Sequence, residues 1–277
     1  MIGKNLRILA NNLHDSATLT ATTEALPVDN TQRSERSRVW RSVGVGEQVI
    51  EAELSVGGFV DCFALSRHNL GSTGIIRVQF FDGATEVFDT GSIPTALLIP
   101  AGIWRAGIDA WGASYNDEIP AGSALAVYWL DNPVAISSYK ITISGGSVDG
   151  YYQIGRILIG LSFSPRDNFN WGVGVEWMES GEHIQTEAGS LRTIGSTADR
   201  RRKFDLKLDW LGESDRVTLV SQLVKLGIGA DLLVSLYPRG TDMQQIESTM
   251  VCRRETSLKH THSVPRNWQA PLSFIEV

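Results

Sequence analysis

The chain has 277 residues and a formal net charge of -6, from 25 Lys and Arg against 31 Asp and Glu. Hydrophobic residues make up 42% and charged residues 20%, which is a globular composition. The negative charge argues against a general nucleic-acid binder, and no run reaches the roughly 18 to 20 apolar residues that span a bilayer. We therefore expect neither a nucleic-acid partner nor membrane insertion. The first residues lack the apolar core of a signal peptide, which predicts synthesis in a cytoplasm.

The first half alternates short β-prone runs with turn signals. The runs are residues 48–54, 61–65, 75–81, 124–130, 139–143 and 154–163. Gly57-Gly58, Asp82-Gly83 and Gly145-Gly146 are among the turn signals between them. This spacing is typical of a sandwich or barrel. We predict a mainly β fold that begins with a β-sandwich (jelly roll).

The second half begins after a turn-forming cluster that contains Pro165, so we place the two domains at residues 1–163 and 164–277. Alternating apolar residues predict a half-buried strand over 204–210. An apolar stripe predicts a helix over about 214–227, with Ser214 as its N-cap and Gly227 as its stop. The polar segment 181–198 is predicted to be a long loop or arm that becomes ordered on a neighbouring subunit. The second domain is thus β-rich with one helix.

Cysteine and histidine usage gives two further expectations. Cys62 and Cys252 lie in separate strand patterns, and we expect buried free thiols. His260 and His262 would share a face of a strand and could in principle meet one ion, but two ligands are too few. We interpret them as surface or interface histidines and predict no metal site.

The sequence contains no Gly-x-Ser-x-Gly elbow, Walker loop, His-Glu-x-x-His or Cys-x-x-Cys motif. The paired acids Asp117-Glu118 and Glu51-x-Glu53 lie in a turn-like segment and on the polar face of a strand, so we interpret them as solvated. We therefore predict a protein that is not an enzyme, with no catalytic residues and no cofactor.

Several segments of the first half occur in an order that resembles a known family. They are Arg38-Val39-Trp40-Arg41-Ser42, the run 61–69 that ends in His68-Asn69, and the closing pair 139–143 and 152–160. Over about residues 5–163 the chain resembles a discoidin-like jelly roll, also called F5/8 type C and similar to carbohydrate-binding modules. The resemblance implies that loops at one end bind a glycan or a lipid head.

A sugar site combines aromatic faces with planar polar side chains. Trp104, Trp111, Tyr115 and Asn116 offer that combination in one loop-rich segment, so they are the candidate carbohydrate-binding residues. The simpler interpretation of Trp104 and Trp111 is a core or subunit-contact role.

The second half carries a basic run, Arg200, Arg201, Arg202 and Lys203, then the strand and helix above and a closing strand at 271–277. This order resembles the C-terminal part of distal-tail or minor-tail proteins of tailed phages. The resemblance implies a virion structural protein that is made in the host bacterial cytoplasm and forms a homo-oligomeric ring at the tail tip (baseplate). It also implies contacts with tail tube, hub and fibre proteins and with a host-surface glycan.

The alternatives are a free-standing carbohydrate-binding module protein, a host-receptor-binding protein and, as a third class, a glycan-active enzyme.

The basic run is the candidate assembly interface. Four adjacent cations could also meet nucleic acid, but on a nearly neutral domain an edge in solvent or a salt-bridged interface fits better.

Overall fold

The computed structural model describes residues 5–96, 106, 124–147, 149–179, 181–187, 189–195, 200–238 and 243–277. Its strands are β1 (Arg7–Leu9), β2 (Ala17–Ala21), β3 (Trp40–Arg41), β4 (Gln48–Ser66), β5 (Ile75–Asp82), β6 (Thr85–Asp89), β7 (Ile93–Pro94), β8 (Leu125–Ser144), β9 (Gln153–Ile154), β10 (Arg156–Gly160), β11 (Gly174–Glu179), β12 (Glu182–Gln185), β13 (Leu191–Ile194), β14 (Arg200–Leu211), β15 (Leu232–Ser235), β16 (Thr249–Arg254), β17 (Thr261–Val264) and β18 (Asn267–Glu276). The described α-helices are α1 (Glu213–Leu226) and α2 (Met243–Ser248), and 3-10 helices cover Leu13–Ser16 and Val28–Gln32. The prediction of a mainly β fold is confirmed. In the described ranges, no helix combines the length and apolar character needed to cross a membrane.

The first sheet is antiparallel, with the order β10-β4-β8-β5-β6 and with β2 and β7 paired to its members. Inward side chains of these strands and of the segments that cross over them form one apolar core. Its largest members are Trp40, Tyr139, Tyr152, Phe63 and Phe80. This is the β-sandwich predicted for the first half.

Two strands are much longer than predicted. The runs 48–54 and 61–65 are parts of the single strand β4, and 124–130 and 139–143 merge in the same way into β8. Gly57-Gly58 is not a turn: the β4–β8 pairing shifts register between Glu53 and Gly58. A Cβ at Gly58 would lie only 2.8 Å from Cδ1 of Leu13. The glycine pair therefore marks a bulge where another segment approaches the backbone.

The second sheet has the order β1-β15-β16-β18-β14-β11, with β17 paired to β18. Phe204, Leu206 and Leu208 of β14 face the core, as the alternation predicts. A register shift between Leu208 and Leu211 ends that alternation, so Trp210 is 57% exposed and Leu211 is buried. Helix α1 buries Leu219 and Leu223 against that core. The strand predicted over 204–210 is thus real but extends from Arg200 to Leu211.

The helix ends differ in how well they were predicted. Gly227 ends α1 with a φ of 76°, a left-handed conformation that favours glycine. The Ser214 cap was wrong, because Gly212 occupies the N-cap and the helix begins at Glu213. Glycine is tolerated at the N-cap, although the prediction chose Ser214, two residues later, because serine is a preferred N-cap residue.

Strand β1 joins the first residues of the chain to the second sheet. Arg7 pairs with Ser235 and Leu9 with Leu233. Ile8 and Phe163 exchange two backbone hydrogen bonds, of 2.9 and 2.8 Å. The predicted boundary at 163 assigns β1 to the first domain, whereas its strand pairing is with β15 of the second sheet.

For residues 181–198 the sequence predicted a long loop or an arm, and the described part is a hairpin rather than a loop. Strands β12 and β13 pair with each other in a two-stranded sheet, and beyond their paired residues the amide of Thr186 donates to the carbonyl of Ser190. We call residues 182–194 the arm. The sequence did not predict these strands, because both faces of the hairpin are in solvent and its residues do not alternate between apolar and polar.

Candidate ligand-binding and assembly surfaces

The predicted sugar residues Trp104, Trp111, Tyr115 and Asn116 lie outside the described residues. Sequence reasoning missed a second polar and aromatic group on the jelly roll, to which three separate segments contribute. We call it the loop cluster, and its members are Arg41, Asn69, Asp149, Tyr151 and Gln153.

Hydrogen bonds fix the loop cluster closely. The Arg41 guanidinium lies 4.2 Å from the centroid of the Tyr151 ring, and its Nη2 donates to Oε1 of Gln153 at 2.9 Å. The Asn69 amide donates to Asp149 and to the carbonyl of Tyr151, both at 2.9 Å, and its Oδ1 accepts from the backbone of Gln153 at 2.7 Å. The cluster thus presents an aromatic ring, a cation and two planar amides at a partly exposed surface. Its only sequence signals were the Arg after Trp40, the His68-Asn69 pair and the Tyr151-Tyr152 pair.

The basic run alternates between solvent and core. Arg202 is buried, and its Nε and backbone amide donate to Oε2 of Glu276 at 3.0 and 2.9 Å. Arg200 pairs with Glu179 at 3.2 Å, and Lys203 pairs with Glu255 at 2.8 Å. Arg201 is exposed and lines a surface cleft that Arg36 and Arg253 also line. Arg202 therefore stabilises its own sheet, and an assembly role for the other three stays a prediction.

The arm lies between β11 and β14 in sequence. The Glu179–Arg200 pair closes the β11–β14 ladder, and β12 begins three residues after β11 ends. Every described arm residue is exposed, including Ile184 at 43%, Leu191 at 69% and Ile194 at 53%. Glu182 lies opposite Ile194 and Ile184 opposite Arg192, so both isoleucines share one face.

An isolated two-stranded hairpin is only marginally stable in water. We therefore expect the arm to become stable on contact with another surface.

Strand β11 is at the edge of the second sheet: among the described strands, β14 is the only one paired with it. Val175 and Met178 of this edge are 41% and 37% exposed, and Trp171 just before it is 99% exposed. An apolar, unpaired edge is a template for pairing with another chain.

The two sheets meet in a packed, charged interface. Leu9, Leu233 and Val251 from the second sheet pack with Cys62, Ala64, Trp129 and Leu158 from the first. Arg156 of β10 binds both oxygens of Asp15, at 2.6 and 2.7 Å, and its Nε lies 3.7 Å from Oδ2 of Asp231. Arg253 of β16 donates to the other Asp231 oxygen at 2.8 Å. Asp231 thus links two cations from opposite sides of the interface.

A second ion pair, between Arg7 and Asp61 at 2.9 Å, crosses the same interface. Asp61 also accepts hydrogen bonds from the amide and the hydroxyl of Ser162, at 2.7 and 2.8 Å. Burial is the largest influence on this carboxyl and raises its pKa. The strand β1 is therefore fixed to the first sheet by a charged group as well as by apolar packing.

The described residues show no group of three His, Cys, Asp or Glu side chains arranged to hold a metal ion. His262 is exposed and stacks on Trp268, with ring centroids 4.7 Å apart. His260 lies just before β17, and burial lowers its pKa. His262 thus lies at the surface, whereas both ring nitrogens of His260 are buried and have no hydrogen-bond partner among the described residues.

Both cysteines are buried and unpaired, as predicted. Cys62 lies in the interface and Cys252 in the second core. Burial raises the pKa of each thiol well above its usual value.

None of the protein-family models and none of the curated proteins compared with the chain matches it. Among solved structures, the chain is similar to the family 32 carbohydrate-binding module of C. perfringens NanJ, solved with galactose, at 13% identity and a TM-score of 0.39, covering 56% of this chain and 98% of that one. It is also similar to a Clostridium perfringens family 32 module solved with GalNAc-β-1,3-galactose, at 16% identity and a TM-score of 0.35, covering 55% and 100%. A third is the family 32 module of Streptococcus pneumoniae EndoD, at 10% identity and a TM-score of 0.38, covering 54% and 98%. These scores are below 0.5, so the ligands of those proteins imply nothing about the residues of this chain.

Proposed function

We propose that the chain is a non-enzymatic binding protein in which a jelly roll of the carbohydrate-binding-module type is held by a β unit that assembles with other protein chains. The observation that carries the proposal is the arm, whose described residues are all exposed and bury no core between its two strands. The unpaired β11 edge next to it supplies a second contact surface for the same neighbour.

The interface between the sheets supports separate roles for the two units, with ligand binding by the jelly roll and assembly by the second sheet and the arm. A jelly roll tied to the second sheet by Asp231 and Asp61 would be presented in a fixed direction by an assembled ring. We propose a phage tail tip as the setting. That setting rests on the resemblance of the second half in sequence, and the structural matches named above contribute nothing to it.

Assembly is tested with the double variant Ile184→Ser and Ile194→Ser, which removes the apolar side chains that the two strands share on one face and leaves the backbone pairing of the hairpin possible. Val43→Ser, at another exposed aliphatic side chain, is the matched control. Analytical ultracentrifugation should show oligomers for the wild type and the control, and monomers for the double variant. A wild-type chain that stays monomeric up to about 1 mM would contradict self-assembly.

The virion setting needs a separate measurement. Cryo-electron microscopy of the phage particle should place the chain in a ring at the tail end. Its absence from purified particles would remove the phage proposal and leave the assembly proposal intact.

Glycan binding by the jelly roll is the second candidate function, and the loop cluster is the observation that favours it. Sugars stack on aromatic rings while their hydroxyls bond to planar polar groups, and Tyr151, Arg41 and Gln153 provide both. Galactose and GalNAc-β-1,3-galactose are suitable first probes. We expect Tyr151→Ala to weaken binding roughly tenfold, while Phe59→Ala, at an exposed ring elsewhere, leaves it unchanged. Unchanged NMR spectra with both sugars would contradict this candidate.

A further inference from the structure

A small cavity lies in the interface between the two sheets, and most of its walls are buried. It has a volume of about 10 Å³ and is lined by Ser66, Arg67, Arg156, Asp231, Val251 and Val277. The first three belong to the jelly roll, and the other three to the second sheet and its connections. This volume is roughly that of one water-sized sphere, so it is too small for an organic ligand.

Two N–H groups of the residues that line the cavity are buried without a protein partner. Nη1 of Arg67 and Nε of Arg156 have no hydrogen-bond partner among the described residues. The other two nitrogens of Arg156 bind Asp15. Its Nε lies 3.7 Å from Oδ2 of Asp231, which is longer than a hydrogen bond. Buried donors without a partner are costly, and native proteins satisfy nearly all of them with protein groups or ordered water.

Arg67 has a backbone conformation that residues other than glycine rarely adopt, with a φ of 58°. Its amide donates to the carbonyl of Ala124 at 2.8 Å, and its carbonyl accepts from the amide of Gly155 at 3.2 Å. A Cβ at Gly155 would lie only 2.7 Å from Nε of Arg67, so the arginine side chain passes close over this glycine. Burial is the main cause of a lowered pKa of the guanidinium. Strain and burial at one residue indicate that its side chain has a specific role.

The charges around the cavity favour a neutral occupant that both accepts and donates hydrogen bonds. A halide could accept from the two arginines, but the carboxylates of Asp231 and Asp15 would repel it. A metal cation would be repelled by the arginines. Water can accept from two N–H groups and donate to a carboxylate, and buried waters typically make about three hydrogen bonds.

We propose that the cavity holds one structural water, which accepts hydrogen bonds from Nη1 of Arg67 and Nε of Arg156 and donates one to Oδ2 of Asp231. This water joins side chains of both units, so the junction is hydrated as well as charged. Arg67 lies two residues before Asn69, so the same water supports the base of the loop cluster from the interface. The site is independent of the proposed assembly and of glycan binding.

A crystal structure of the full chain tests the identity of the occupant. We expect one oxygen-sized peak within about 3.2 Å of both nitrogens, and no change in it when bromide replaces chloride in the crystals. An anomalous bromide signal in the cavity would assign a halide and overturn the proposal. A cavity without any peak would overturn it as well.

Two substitutions of Val251, which lines the cavity, give a second measurement by urea denaturation. Val251→Ile adds a methylene that displaces the water, and the folding equilibrium constant should fall about tenfold because both N–H groups lose their partner. Val251→Thr keeps the volume and adds a hydroxyl that the water can bind, so the constant should stay within about threefold of wild type.

Val234→Thr is the matched control, at a buried valine of the second core that does not line the cavity. It should lower the folding equilibrium constant about tenfold, because its hydroxyl is buried among apolar side chains. A dry cavity would reverse the order of the Val251 variants, since Val251→Ile would then fill a void and Val251→Thr would cost as much as the control. That order, or equal stabilities of the two variants, would contradict the proposal.

Discussion

Nε of Arg156 and Oδ2 of Asp231 lie 3.7 Å apart across the interface of the two sheets, with side chains only 4% and 2% exposed. Asp231 is also the partner of Arg253, at 2.8 Å. Removal of one member of a buried ion pair is strongly destabilising because the other charge loses its compensation. This carboxylate is thus a main electrostatic link between the two units.

Asp231→Asn should lower the free energy of unfolding by about 3 kcal/mol, because it leaves Arg156 buried beside a neutral amide. Urea denaturation measures the change, and Glu47→Gln, at an exposed acid, should change the stability little. Equal stabilities of Asp231→Asn and wild type would show that Asp15 alone compensates Arg156.

Gly58→Ala should destabilise the jelly roll by about 2 kcal/mol, because the added Cβ overlaps with Leu13 in a packed region. The built contact is 2.8 Å. Gly44→Ala is the control, since a Cβ there meets nothing within 4 Å. Thermal unfolding of the two variants compares them directly, and equal midpoints would mean that Leu13 moves aside without cost.

Stability should fall as the pH drops below about 6.5, because two buried histidines resist protonation. Burial lowers the pKa of His14 to about 3 and that of His68 to about 4. An unfolded histidine takes up its proton near 6.5, so between that pH and the folded pKa values the unfolded state binds more protons and is favoured by acid. Each histidine contributes up to about 1.4 kcal/mol per pH unit.

His14→Gln isolates one of these contributions. His14 contacts the hydroxyls of Tyr139 and Thr31 at 2.5 and 2.7 Å, and a glutamine amide offers similar bonding without titration. The slope of unfolding free energy against pH between 6.5 and 5.5 should fall by about half. The raised pKa values of Asp15 and Asp61 act in the opposite sense, since their folded forms accept protons first, but they are present in both proteins. An unaltered slope would contradict this assignment, and His183→Gln, on the exposed arm, is the control.

Cys62 and Cys252 should not react with a thiol reagent at pH 8 while the protein is folded. Both thiols have raised pKa values, so little thiolate forms at this pH, and both are buried, so the reagent does not reach them. Ellman's reagent should detect two thiols in denaturant and none without it. Rapid reaction of one thiol in the folded chain would mean that the interface or the second core opens readily.

Local pattern predicted those parts of the fold that local chemistry determines. Alternation identified the strand around Phe204, and Gly227 marked the end of α1, because both depend on neighbours in sequence. Gly57-Gly58 was misread as a turn because a bulge and a turn use the same residue type, and only the contact with Leu13 separates them.

The candidate sites depend on contacts between distant segments. The loop cluster unites Arg41, Asn69 and Tyr151, and the buried cavity unites Arg67, Arg156 and Asp231, and no periodicity relates these positions. The pairing of Arg7 with Ser235 is equally long-range. Sequence therefore identified candidate types of residue without showing which of them meet.

The β1 pairing also determines how the polypeptide is organised as modules. Because Ile8 and Phe163 are hydrogen-bonded neighbours, the jelly roll leaves and re-enters the second sheet at a single point. It is topologically an insertion, a cassette between β1 and the rest of the sheet that holds it. A domain with such neighbouring ends can be exchanged for another domain by joining the two flanking ends. During translation it can fold before β15, the partner of β1, has been made.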